Sequence, residues 1–163
     1  MNLKNYTSSV PMDTTIARIE RLLVDVGATG IGKEYQAGVV TALMFRIQFA
    51  PDKPEVTVKL PANVEACLNA FWVDYCKTRG PRSNKTKDEF KEQSARTAWK
   101  LQQDWVEVQI SLIRLNQQDA MQAFLPYAWD GQQTVYERVR CNGFRALLPA
   151  PEATEQPKAS LDA

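Results

Sequence analysis

The string Gly27-Ala-Thr-Gly-Ile-Gly-Lys33 is the stretch of this chain most suggestive of chemistry. Its glycine, four residues, glycine, lysine spacing is that of a phosphate-binding loop. In such a loop backbone N–H groups cradle phosphate, the lysine neutralises it and a following Ser or Thr holds magnesium. Here the next residue is Glu34, which repels phosphate. The loop should also join a strand to a helix, whereas the flanking patterns join a helix to a strand. A helix C-terminus closed by a glycine accounts for the string better.

Other routes to catalysis are narrower still. The chain has 163 residues and no histidine, so Ser-His, Cys-His and His-metal constellations are excluded. A metal nuclease would then need clustered carboxylates. Asp52, Glu55 and Lys59 are present, but Thr57 stands where an acid is required. Glu89-Phe-Lys91 has an acid–x–lysine spacing, yet an acid in a helix's first turn is explained by capping. Asp104 and Glu107, three apart on a helical face, could share Mg²⁺, but a solvated charged face explains them as well. Thr7, Ser8 and Ser9 have no base or oxyanion hole beside them in the pattern. No catalysis, metal or cofactor is expected.

Cys67, Cys76 and Cys141 are odd in number and lack CxxC spacing, which argues against a disulfide framework or zinc ribbon. Cys67 and Cys76 fall in an apolar helical stretch and are expected to act as small hydrophobes. No run approaches the roughly 20 apolar residues needed to span a bilayer, and the first residues lack the apolar core of a signal peptide. A reduced, cytoplasmic protein is expected.

The net charge of +1 hides an uneven distribution. Residues 1–76 carry 7 basic and 8 acidic side chains, and residues 101–163 carry 5 and 8. Between them, Lys77, Arg79, Arg82, Lys85, Lys87, Lys91, Arg96 and Lys100 face only three acids, a local +5. Clustered Lys and Arg beside a helix N-terminus suit phosphate groups. Phe90 and Trp99 are interleaved and could stack on bases, although their spacing with Trp105 also suits a core. Single-stranded DNA or RNA is the expected ligand. A second expectation is a protein complex, or another copy of the chain, docking on Trp105, Ile110, Leu112, Ile113 and Leu115, whose apolar surface spreads beyond one helical stripe.

The elements that must position these residues divide the chain. Residues 1–62 read as βαβββ. A short strand over 4–10 precedes a helix with Ile16, Ile19, Leu22, Leu23 and Val26 at helical spacing, capped by Asp13 or Thr14 and ended at Gly27. Strands over 31–35, 39–49 and 55–60 follow, joined at Gln36-Ala-Gly38 and at Pro51-Asp-Lys-Pro54. Residues 63–148 read as helical, within the same compact unit. Asn63 caps a first helix, and the capping box Thr86-Lys-Asp-Glu89 opens a long amphipathic helix reaching as far as Leu125. That is about 38 residues and about 57 Å, more than a compact core needs. After a turn at Asp130-Gly131, a second box, Thr134-Val-Tyr-Glu137, opens a short helix ending at Asn142-Gly143. Residues 149–163, rich in Pro, Ala and Glu, read as a flexible tail. The expected class is α+β.

Several strings resemble small phage and prophage proteins: Lys4-Asn-Tyr-Thr-Ser-Ser-Val-Pro11, Gly27-Ala-Thr-Gly-Ile31, Lys59-Leu-Pro-Ala62, Ala95-Arg-Thr-Ala-Trp-Lys-Leu-Gln-Gln-Asp-Trp105 and Phe124-Leu-Pro-Tyr127. The resemblance covers roughly residues 1–130 and carries over no active site. It implies a mobile-element origin and a bacterial host cytoplasm. The expected architecture is also similar, at fold level only, to phage strand-annealing proteins, which set a helix on a β-hairpin sheet around a basic groove.

Overall fold

The computed structural model describes residues 3–80 and 83–143. The fold is α+β: a three-stranded antiparallel sheet, in order β1-β2-β3, packed against helices. Helix α1 (Met12–Asp25) buries Ile16, Ile19 and Leu23, which recur on one face. It begins directly after Pro11, without a side-chain cap, so Asp13 lies in its first turn and is not its N-cap. Gly27, at φ +94°, turns the chain out of the helix where a Cβ would be strained.

Strand β1 (Gly30–Gln36) pairs with β2 (Val39–Ile47) through a two-residue loop, Ala37 and Gly38. The register shifts between Glu34 and Tyr35, leaving Thr41 as an extra residue in β2. That bulge returns Val40 to the face shared by Leu43, Phe45 and Ile47, all buried. Strand β3 (Val56–Pro61) adds Val58 and Leu60 to the same face. On the opposite face a Cβ at Gly30 would come within 2.9 Å of the Arg46 guanidinium, so the flexible Arg46 side chain would have to move aside.

Residues 4–10 make turns, contrary to the expected strand. Asn5 adopts the left-handed region at φ 65°, and side chains of the long helix satisfy the carbonyls. Thr97 Oγ1 donates to the Asn5 carbonyl (3.1 Å), and Gln93 Nε2 donates to those of Tyr6 (2.8 Å) and Ser8 (3.1 Å). A ladder partner is therefore not needed.

Helix α2 (Val64–Thr78) starts at Asn63, whose side chain accepts from Ala66 N at 3.0 Å. The Thr86 box opens a 3-10 turn, Lys87–Phe90, that runs straight into α3 (Lys91–Arg114). The long helix thus stops eleven residues before the expected Leu125. Asn116, at φ 53°, reverses the chain, and Asp119 with Gln122 forms a further capping box that opens α4 (Ala120–Phe124). A 3-10 turn at Leu125–Tyr127 follows, and α5 (Val135–Asn142) starts at the Thr134 box. Folding back brings Phe124 edge-on to Phe45 at 5.3 Å, closing the core over the sheet. The core joins α1, the sheet's inner face and the Trp99, Val106 and Ile110 stripe of α3. Residues 149–163 lie outside the described residues.

Candidate nucleic-acid interface

The described part of the basic segment lies on three local structures: the end of α2, loop residues 79–80 and 83–86, and the first turns of the long helix. Tyr75, one turn before the end of α2, anchors the loop. Its Oη lies 2.8 Å from Ser83 Oγ and accepts from Lys85 N at 2.8 Å. Tyr75 also packs on Phe90 (ring centroids 5.4 Å), which stacks with Phe71 (6.3 Å, 18°) and meets Trp72 edge-on (6.4 Å). Phe71 is buried, whereas Trp72, Tyr75 and Phe90 are half-buried. Lys85 Nζ sits 5.8 Å from the Phe90 centroid, over the ring. Phe90 is thus part of an aromatic shelf already stacked from within.

The cations separate by what they meet. Lys87 Nζ donates to Asn69 Oδ1 (2.6 Å) and pairs with Glu65 (3.3 Å). Lys91 pairs with Asp88 at 2.9 Å, Arg96 with Glu92, and Lys100 with Asp104 at 2.8 Å. Lys77, Arg79 and Lys85 are exposed and form no ion pair among the described residues. Arg82 lies outside the described residues. The expected patch is therefore two groups: three unneutralised cations at one end of α2, and a ladder of neutralised ones along α3. Lys91 and Arg96 instead border a separate apolar cleft of about 790 Å³ floored by Met12, Val39, Val64, Leu68 and Ala95.

Trp99 is a correction. It is fully buried (0 % exposed), and its Nε1 donates to the Val40 carbonyl at 3.2 Å, so it offers no face to a base. Ile110 is a second correction: at 2 % exposure it belongs to the core, and Ile113 packs against that core. Trp105 is half-buried, held edge-on by Phe124 (6.0 Å) and Tyr127 (5.3 Å). Leu112 is half-buried and Leu115 is 66 % exposed. Val108, 55 % exposed, belongs with these two and escaped the sequence reading. Its position three after Trp105 and four before Leu112 is the signal that could have found it.

Lys33, the lysine of the loop-like string, lies within β1 and pairs with Glu20 at 2.9 Å. The Glu20 hydrogen bond and charge hold its ammonium above the usual lysine range against the opposing effect of burial. The string therefore joins a helix to a strand, and its lysine is engaged. Cys67 is buried, and burial pushes its thiol up; Cys76, expected inside, is exposed, as is Cys141. Among the described residues, no three Cys, Asp or Glu side chains gather around a metal-sized site, and no helix is long and apolar enough to cross a membrane. No family model, curated protein or solved structure matches the chain.

Proposed function

We propose that this chain is a non-catalytic accessory protein that binds single-stranded DNA or RNA at the end of α2, around Lys77, Arg79 and Lys85. The carrying observation is that Lys77, Arg79 and Lys85 stand exposed, with no ion pair among the described residues, beside an aromatic shelf, while the other described cations of the segment are ion-paired. Free ammonium and guanidinium groups release counterions from phosphate on binding, whereas paired ones must first give up a carboxylate. The shelf supports the reading in a second way. Trp72 and Tyr75 are half-exposed beside these cations, where a base stacked on them would meet phosphate within reach of Lys85. The phage resemblance supports a setting in nucleic-acid metabolism within a bacterial host cytoplasm, and belongs to the same proposal.

Binding of a fluorescent single-stranded oligonucleotide at low salt tests the proposal. The full chain should bind, and neutralising Lys77, Arg79 and Lys85 together should weaken binding by an order of magnitude or more. Absence of binding at low salt would overturn it.

A further inference from the structure

We infer that the hydroxyl of Tyr75 is a positioning group for nucleic acid, fixing Lys85 against the end of α2 before any nucleotide binds. The inference rests on the nucleic-acid reading and names the residue that sets the geometry of that site. Tyr75 holds the basic segment at two points. Its carbonyl oxygen accepts from Arg79 N at 2.8 Å, closing the last turn of α2. Its Oη accepts from Lys85 N at 2.8 Å and lies 2.8 Å from Ser83 Oγ. Arg79 and Lys85 are two of the three exposed cations of the segment without an ion pair among the described residues. Both are tied through their backbone N–H groups to this one residue.

The ring that carries this hydroxyl is itself fixed. It packs on Phe90 at 5.4 Å and on Trp72 at 5.6 Å, and the Lys85 ammonium sits over the Phe90 ring at 5.8 Å. The shelf thus places the hydroxyl, the hydroxyl places the Lys85 backbone, and Phe90 orients its charge. Asn84 and Lys85 are exposed, so packing does little to hold them and the hydrogen bonds must. A lysine on a free loop has to be ordered when phosphate binds, at a cost in entropy, whereas a lysine already placed avoids most of that cost. With the Lys85 N–H donating to it and Ser83 Oγ hydrogen-bonded to it, the Tyr75 hydroxyl is occupied. It acts through Lys85 and not on phosphate directly.

A double-mutant cycle, read by binding of a fluorescent single-stranded oligonucleotide to the full chain, tests the inference. Tyr75→Phe keeps the ring and removes the anchor. Lys85→Gln keeps the anchored N–H and removes the charge. Tyr75→Phe should weaken binding about 5–10-fold when Lys85 is present. In the Lys85→Gln background the same change should weaken it less than about twofold. A merely structural role for Tyr75 would lower binding equally in both backgrounds, and that result would overturn the inference. So would a Tyr75→Phe chain that binds as tightly as wild type. Should Tyr75→Phe misfold, Ser83→Ala removes one of the two bonds to the hydroxyl without touching the shelf. It should weaken binding about two- to threefold through Lys85, and an unchanged affinity there would overturn the inference as well. A wild-type chain that does not bind the oligonucleotide is a separate result, which overturns the nucleic-acid reading and the inference with it.

Discussion

Replacing Trp99 with Phe separates the two roles that the sequence allows for this residue. The indole is fully buried, and its N–H donates to the Val40 carbonyl beside the β2 bulge. Phenylalanine keeps one ring, removes that donor and leaves a void where the second ring stood. The void costs about 1–2 kcal/mol, a fraction of a full aromatic deletion. Loss of the donor to Val40 costs about 1–2 kcal/mol more. The sum, about 2–4 kcal/mol, corresponds to a fall on the order of 10 °C in midpoint for a chain of this size. Urea denaturation followed by far-UV circular dichroism should show a lower midpoint with unchanged slope. Oligonucleotide binding, measured where both proteins are folded, should be unaltered. A stability change under about 0.5 kcal/mol together with lost binding would refute the reasoning, since it would make Trp99 a stacking surface.

Further outcomes follow from local features. Burial raises the Asp104 carboxyl, but hydrogen bonds from Lys100, Lys4 and Asn5 and the Lys100 charge outweigh it and hold the group well below the usual carboxylate range. Its folded-state pKa is depressed, so its stabilisation is present above the unfolded value near about 4 and is lost as pH falls below it. Asp104→Asn should cost about 1–2 kcal/mol at pH 7, with the gap to wild type closing in acid; a constant gap from pH 7 to pH 2 would contradict this. Ala37 and Gly38 both have positive φ (49° and 78°), the backbone of a type I′ hairpin. Ala37→Asn should therefore raise stability by about 0.5–1 kcal/mol in thermal unfolding. Thiol titration of the native chain should modify Cys76 and Cys141 quickly and Cys67 only on unfolding.

Where local chemistry dictated structure, the sequence could be read directly. Asn63 and the two boxes at Thr86 and Thr134 satisfy backbone donors within three residues of themselves, so they act where they are written. Gly27 and the Ala37-Gly38 loop are legible for the same reason. Residues 4–10 were not, because their carbonyls are satisfied by Gln93 and Thr97, which lie about 90 positions away. The end of α3 was missed because the apolar pattern continues through Asn116 and the helix signal restarts at Asp119. Both α3 stripes have helical period, and nothing local says which one faces the sheet. The pattern therefore leaves Trp99 open to a core or a stacking role, sets Ile110 on the docking face and does not mark Val108, whereas the fold buries Trp99 and Ile110 and exposes Val108. The clearest limit concerns charge. Lys87 is neutralised by Glu65, a residue 22 positions earlier on another helix, so a count along the chain overstates the available positive charge.

The most direct measurement for the central claim compares two triple neutralisations by salt titration of oligonucleotide binding. For single strands each phosphate contact contributes about 0.7 to the slope of log K against log salt. Neutralising Lys77, Arg79 and Lys85 should remove about 2 from that slope. Neutralising the ion-paired Lys87, Lys91 and Arg96 should leave it within about 0.7 of wild type. Equal losses from both sets, or a loss confined to the second, would contradict the account.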